Sequence, residues 1–161
     1  MRIIAIDPGH THSAYVVMVE GHVREFHKMS NEDLMVVLPS LSMHASTLVI
    51  EQVACMGMAV GAEVFETVFW SGRFAQAWAE KGLRWDRIKR HQVKMHLCGN
   101  MRAKDANIRQ ALIDLFGGKS QAIGNKKQPG HLYGMAGDEW AALAVAVTYE
   151  GLHARKELVT A

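Results

Sequence analysis

Two short apolar runs, each ending in a carboxylate, mark two of the predicted strands. Ile3 to Ile6 is uninterrupted and apolar, which is typical of a strand buried on both faces, and Asp7 follows it directly. Pro8-Gly9 then predicts a turn. A second run, Thr47 to Ile50, ends in Glu51 in the same way. If the two strands are neighbours in one sheet, their carboxylates meet at the same edge, where ligands of open α/β sheets bind.

The other elements alternate between strand and helix patterns. Further strands are predicted at residues 13–19, 22–27 and 85–89, the first two forming a meander with the opening strand. Helices are predicted at residues 30–41, 62–81, 90–98, 102–116 and 137–152, with Ser30 as the first N-cap. Residues 56–62 and 117–130 predict loops. No repeat or linker is evident, and 161 residues suit a single domain, so residues 1–161 are expected to form one.

Composition narrows the class of protein. Hydrophobic residues make up 49% of the chain and charged residues 21%, as in a soluble globular domain. No apolar run approaches the ~20 residues that cross a bilayer, and Asp7 interrupts the only N-terminal run that could resemble a signal peptide. Cys55 and Cys98 form no CxxC motif and no disulfide framework. These features predict a cytosolic protein with no membrane segment.

The net charge of +2 hides a strong segregation of sign. Residues 81–130 carry twelve basic and three acidic residues, a net charge of +9, whereas the rest of the chain carries −7. A solvated helical surface normally mixes the two signs, so this segregation favours a polyanionic partner. Charge alone does not choose between DNA, RNA and an acidic protein.

A third acid, Asp138, stands in the first turn of the last predicted helix. Three converging carboxylates repel one another unless cations hold them together, and oxygen ligands select hard ions such as Mg²⁺ or Mn²⁺. Two such ions ~3.5–4 Å apart can hydrolyse a phosphodiester. The alternative for Asp7 alone is a turn-capping residue without catalytic function.

Four segments lie in an order known from one protein family. They are IIAIDPG at residues 3–9, VIEQV at 49–53, RHQVK at 90–94 and DEWAALAVAVT at 138–148. The ordered set resembles the RuvC Holliday junction resolvases (crossover junction endodeoxyribonucleases) over nearly the whole chain. Residues 57–67, with Trp70 and Gly72-Arg73-Phe74, are more similar to phage or prophage-borne relatives than to the housekeeping bacterial enzyme.

The resemblance implies an α/β, RNase H-like fold with a mixed five-stranded sheet and helices on both faces. It also implies a homodimer, in bacteria or a phage-infected cell, that cuts two strands of a four-way DNA junction symmetrically. Asp7, Glu51 and Asp138 would be the catalytic metal ligands, with Mg²⁺ as cofactor and Mn²⁺ as a substitute, and Lys94 would act beside the scissile phosphate. The DNA-binding residues would be Arg90, Lys94, Arg102, Lys104, Lys126 and Lys127.

One position departs from the family pattern. The last helix of the family usually offers two ligands three residues apart, but here Asp138 is followed by Ala141. Glu139 lies about 100° further round the helix, so we expect it to point elsewhere. The sequence therefore predicts a site of three carboxylates, with Glu139 as the alternative fourth ligand.

Other readings of the same residues remain open. The Asp-Pro-Gly-x-Thr turn is similar to the phosphate loop of sugar kinases and actin, but those folds need two domains around a nucleotide. A YqgF-like nuclease acting on RNA would have a similar sheet and acids. A non-catalytic junction-binding protein would explain Ala141. His10 and His12 could belong to a zinc site, although no third ligand stands at a suitable spacing.

Overall fold

Five strands form one mixed sheet, and six helices in the described part of the chain accompany it. The computed structural model describes residues 1–43, 45–54, 57 and 59–160, with the backbone only for residues 155–160. The strands are β1 (Arg2–Asp7), β2 (His12–Val19), β3 (His22–Ser30), β4 (Ser46–Gln52) and β5 (Arg84–Lys89). The helices are α1 (Asn31–Leu41), α2 (Ala62–Ala79), α3 (Arg90–Cys98), α4 (Asp105–Leu115), α5 (Gly118–Ala122) and α6 (Asp138–Thr160).

The spatial order of the strands is β3-β2-β1-β4-β5, which puts β1 at the centre. The meander β1-β2-β3 is antiparallel, as predicted. Strand β4 runs parallel to β1, and β5 runs parallel to β4, because a helix returns the chain before each of them. The two strands predicted to end in a carboxylate are therefore neighbours.

Side chains of the central strand alternate between two hydrophobic cores, one on each face of the sheet. Ile3 and Ala5 pack with α4 and α6, whereas Ile4 and Ile6 pack with α1 and α2. All four are fully buried, which explains why the run is continuously apolar instead of alternating. Helices on both faces and a mixed five-stranded sheet confirm the predicted α/β architecture.

Helix α6 lies against the centre of the sheet through small side chains. Residues 142–146, of sequence ALAVA, are completely buried. Three alanines in this segment let the helix backbone approach β1 and β2 closely, because there is little side-chain volume between the two elements. The position of the first residue of α6, Asp138, is thereby fixed relative to the strand ends.

Two predicted boundaries differ from the structure. Helix α4 begins at Asp105 instead of 102, because the side chain of Asn107 accepts a hydrogen bond from the backbone N–H of Lys104 and closes the helix there. The predicted loop at 117–130 contains helix α5, which follows Gly117 in the left-handed conformation (φ 94°). Its last residue, Ala122, is buried, so this part of the segment belongs to the core.

Some sequence predictions fall at the edge of what is described. Gly57 and residues 59–61 have no helix or strand, in line with the predicted loop, whereas Cys55, Met56 and Met58 lie outside the described residues. Cys98 is a free thiol. Within the described ranges, no helix is both long enough and apolar enough to cross a membrane.

A buried hydrogen-bond network holds the turn that follows Asp7. The Ser13 hydroxyl accepts from the Gly9 N–H (3.1 Å) and donates to the Asn31 side-chain oxygen (2.7 Å). The Asn31 amide in turn donates to the Gly9 carbonyl (2.9 Å). A Cβ on Gly9 would lie 2.2 Å from the His12 carbonyl oxygen, so only glycine fits. The turn beside Asp7 is therefore fixed from β2 and from the start of α1.

We predict that Asn31→Ala lowers the free energy of unfolding by about 2–3 kcal/mol, because it leaves buried polar groups on Ser13 and Gly9 without partners. Ser13→Ala should have a similar effect, and the double variant should lose less than the two single losses together, since both remove the same hydrogen bond. Urea denaturation measures all three. Ser40→Ala, which removes an exposed hydroxyl, is the control and should change stability by no more than ~0.5 kcal/mol. Additive losses in the double variant would contradict the network.

Candidate active site

The three predicted acids line one cavity at the edge of the sheet. Because β1 and β4 are parallel and Ile6 pairs with Ile50, the next residues, Asp7 and Glu51, lie side by side at the carboxyl ends of the two strands. Asp138 is the first residue of α6. All three border a cavity of about 350 Å³, whose wall also includes Arg90, Asp105, Arg109 and Ala141. The structure thus brings together the carboxylates that the sequence placed on two strand ends and one helix start.

Repulsion among these acids is visible at Asp7. Burial, and then the nearby charges of Glu51 and Asp138, raise the pKa of Asp7 to about 8, against the opposing influence of cationic neighbours. Burial also raises the pKa of Glu51, although Arg90 opposes that shift. The cavity therefore holds buried, neighbouring carboxylates that are costly to ionise without a cation, which is the condition that favours a bound metal ion.

Two cationic side chains of the protein itself lie among the acids. The Arg90 guanidinium pairs with Glu51 (3.2 Å) and with Asp105. The Lys28 ammonium lies 2.6 Å from a carboxylate oxygen of Asp138. The sequence did not single out Lys28 or Asp105, because neither lies close in the chain to Asp7, Glu51 or Asp138. Ion pairs reduce the repulsion, but the raised pKa of Asp7 shows that they do not remove it.

The position of Lys28 follows from the register of three strands. Asp7 pairs with Ala14 across β1 and β2, and Ala14 pairs with Lys28 across β2 and β3. The lysine is therefore in line with Asp7, two strands away. Counting the register of the predicted meander could have found it, but only with the correct alignment of both hairpins.

The side chains around this cavity offer carboxylate oxygens as possible metal ligands. Carboxylate oxygens around one cavity suit Mg²⁺ or Mn²⁺ and do not suit a soft ion. Within the described residues, however, no three side chains of His, Cys, Asp or Glu lie close enough together to ligate one ion. Glu51 and Asp138 are instead turned towards Arg90 and Lys28. The residues fit a magnesium or manganese ion by chemistry, provided that these ion pairs loosen when the ion binds.

The predicted zinc alternative finds no support among the described residues. His10 lies 3.8 Å from Glu63, and His12 contacts the Thr11 hydroxyl. No third ligand joins either histidine in that part of the chain.

The two candidates for a fourth ligand differ in position. Glu139 accepts a hydrogen bond from the Ala136 N–H (2.8 Å), so its carboxylate caps the start of α6. Ala141 lines the acidic cavity, as expected for a residue three positions after Asp138. The position that faces the site therefore carries a methyl group, and the nearby acid has another partner.

The predicted DNA-binding residues fall into two groups. Lys94 lines a second cavity, of about 420 Å³, that shares Asp7, Glu51 and Arg90 with the first. Four others are exposed and are not among the residues that line this cavity: Arg102, Lys104, Lys126 and Lys127. Arg90 is engaged by two carboxylates. A phosphate contact by any of these residues stays a prediction, and Lys94 is the best placed for one near the acids.

Comparison with solved structures identifies the fold. Thermus thermophilus RuvC is 20% identical, with a TM-score of 0.70 over 98% of this chain and 97% of that one. T. thermophilus RuvC in complex with a Holliday junction substrate gives 18% identity and a TM-score of 0.71 over 97% and 96% of the two chains. No protein-family model matches the sequence, and no curated protein matches it either. The chain therefore has the RNase H-like fold of RuvC.

We predict that Asp7→Asn stabilises the metal-free protein, and increasingly so at high pH. The pKa of Asp7 rises from its ordinary value of 3.8 to about 8 in the folded protein. The folded state therefore holds the proton more tightly, and the wild type loses stability as the pH rises between these values. Asparagine is neutral throughout.

In EDTA, the stability difference between Asp7→Asn and the wild type should be small at pH 5 and reach about 1–3 kcal/mol at pH 9, a range that allows for screening by solvent. Urea denaturation at the two pH values measures it. A difference that does not grow with pH would show that Asp7 is not in a repulsive environment.

Proposed function

We propose that this protein is a magnesium-dependent endonuclease that resolves four-way DNA junctions. One observation carries the proposal: Asp7, Glu51 and Asp138 border a single cavity at the carboxyl ends of β1 and β4, in a domain with the RuvC fold. A solved structure of that fold holds a Holliday junction substrate, which supports branched DNA as the ligand. The strongly basic segment, residues 81–130, offers the positive charge that a DNA backbone requires.

Each of the chain's own groups has a proposed task. Asp7, Glu51 and Asp138 would hold the divalent cation, and their positions on rigid strand and helix ends fix where it binds. Lys94, in the adjoining cavity, would bind the phosphate that is cut. Magnesium supplies activation of the attacking water and stabilisation of the leaving oxygen. Three carboxylates are enough to hold one ion, and whether a second ion binds, as the sequence suggested, is a separate and measurable question.

A second candidate function is junction binding without cleavage. It is favoured by Ala141 at the position that faces the cavity, and by the ion pairs that occupy Glu51 and Asp138. Magnesium-dependent cleavage of a four-way junction distinguishes the two functions. Linear duplex DNA and a structured RNA, assayed in parallel, test the alternative of an RNA-directed nuclease.

A homodimer is proposed to form through α2. Three large apolar residues on this helix are mostly exposed: Phe65 (65%), Val68 (51%) and Phe69 (59%). Their spacing puts them on one side of the helix, and such a contiguous apolar face is typical of an interaction surface. A symmetric dimer would give two active sites, as cutting of two opposed strands requires.

We predict that Asp7→Asn, Glu51→Gln and Asp138→Asn each lower junction cleavage at least ~100-fold, because removal of one metal ligand loses most of the rate. Junction affinity, measured by gel shift, should change little, since the basic segment carries the binding. The matched control is Glu139→Gln, one residue from Asp138, which should cleave at nearly the wild-type rate because glutamine can still cap α6. Cleavage at the wild-type rate by one of the three acid variants would exclude that acid from the metal site.

We predict that junction binding weakens steeply with salt and that Lys94→Ala lowers the slope of log K against log [salt] by about one. The physical reason is the loss of one phosphate contact with its released counterion. Lys104→Ala tests the exposed lysine at the start of α4 in the same way. A slope identical to that of the wild type would show that the substituted lysine does not contact phosphate.

We predict that the wild type sediments as a dimer at micromolar concentration and that Phe69→Glu sediments as a monomer, because a charge would be buried in the apolar interface. Val36→Glu, at a more exposed apolar position on α1 (78%), is the control and should remain dimeric. Analytical ultracentrifugation measures all three. A monomeric wild type, or a dimeric Phe69→Glu variant, would exclude α2 as the interface.

A further inference from the structure

The Lys28 ammonium neutralises the charge of Asp138, a carboxylate of the acidic cavity that a metal ion would otherwise neutralise. Its ammonium lies 2.6 Å from Asp138, and the two side chains are equally exposed, at 48% each. Its charge acts on Asp7 as well as on Asp138, and it is in line with Asp7 across the sheet. One cation thus interacts with two of the three candidate ligands, on the side of the site away from Glu51 and Arg90.

The start of α6 lacks a second oxygen ligand that faces the cavity. Ala141 borders the cavity one helical turn after Asp138, and the Glu139 carboxylate accepts a hydrogen bond from the Ala136 N–H, although its charge also acts on Lys28. A divalent cation beside Asp138 would therefore find one cavity-lining carboxylate on α6, whereas an ion between Asp7 and Glu51 would find two. The protein thus places a lysine, and no second cavity-lining ligand, beside Asp138.

The charge balance of the cavity agrees with one divalent cation. Four acids surround it: Asp7, Glu51, Asp105 and Asp138. Two cations pair with them, Lys28 and Arg90, and Arg109 also lies on the cavity wall, so with all four acids ionised the net charge is −1. One divalent ion brings the net charge to +1. A second would bring it to +3.

We propose that the Lys28 ammonium takes the place of a second divalent cation beside Asp138, so that each chain binds one divalent ion. The proposal rests on the metal-dependent function proposed above and specifies the composition of that site. Lys28 is a charge-balancing residue: it acts through Asp138, which it orients and neutralises, and it reduces the affinity for a further cation by direct repulsion. An exposed ion pair contributes little to stability, so stability alone gives little reason for a lysine at this position.

The competing explanation is that Lys28 forms an ordinary surface ion pair that opens whenever ions bind. The two explanations differ in the number of ions bound and in the effect of removing the lysine charge. Both quantities can be measured on the protein without DNA, from the electron paramagnetic resonance signal of free Mn²⁺ during a titration.

The wild type is expected to bind one Mn²⁺ per chain. Lys28→Met should bind a second ion or bind the first about tenfold more tightly, because a positive charge several ångströms from a divalent ion has been removed. Lys28→Gln repeats the test with a polar side chain, and Lys28→Arg should restore wild-type binding. Lys81→Met, an exposed lysine after α2 near the opposite end of the sheet, is the control for loss of charge. Circular dichroism checks that each variant is folded.

The strongest form of the test combines two substitutions. Lys28→Met with Ala141→Asp removes the lysine and adds an oxygen ligand on the same side, so this variant should bind two Mn²⁺ per chain. Two ions bound to the wild type would overturn the proposal. So would a Lys28→Met variant with the same number and affinity of ions as the wild type.

Failure of this inference is distinguishable from failure of the proposed function. A wild type that cleaves junctions but binds two Mn²⁺ leaves the nuclease function intact and excludes the role of Lys28. A wild type that binds one Mn²⁺ but cleaves no junction, together with a Lys28→Met variant that binds more ions or binds the first more tightly, supports the role of Lys28 and excludes the nuclease function.

Discussion

The whole site depends on the parallel pairing of the central strand with its neighbour. β1 and β4 are in register, so the residues that follow the two buried runs lie side by side at the carboxyl ends of these strands, and both residues are acids. Two carboxylates at the end of a hydrophobic core repel each other in surroundings that screen them poorly. The energetic consequence appears in the raised pKa of Asp7, and it decides what else the surrounding elements must provide.

The surrounding elements respond to this repulsion from two sides. From the α3 side, Arg90 pairs with Glu51 and extends to Asp105 at the start of α4. From the β3 side, Lys28 pairs with Asp138 at the start of α6. Neither cation pairs with Asp7, which is left between them with the highest tendency to take up a proton or to bind a metal ion. The two ion pairs thus reduce the repulsion in the site, while its central carboxylate remains available.

Local patterns were sufficient for the parts of the site that one strand or helix determines. The apolar runs before Asp7 and Glu51 predict both strand ends, and the sheet order that joins them follows from the resemblance to a known family. Lys28 could not be found in this way, because its place depends on the pairing of three strands. Helix α5 was missed because it is only five residues long, and the start of α4 was misplaced because Lys104 is not a usual N-cap residue.

An irregularity in the outer hairpin has a consequence for how this fold can vary. The pairing of β2 with β3 shifts between Val17 and Met18, with Arg24 as the extra residue, so the hairpin divides into two halves. The half next to the active site keeps Lys28 opposite Ala14, whatever the length of the turn at Glu20 and Gly21. Insertions or deletions at that turn can be absorbed at the bulge, which lets the outer end of the hairpin diverge in evolution while the lysine stays aligned with the acids.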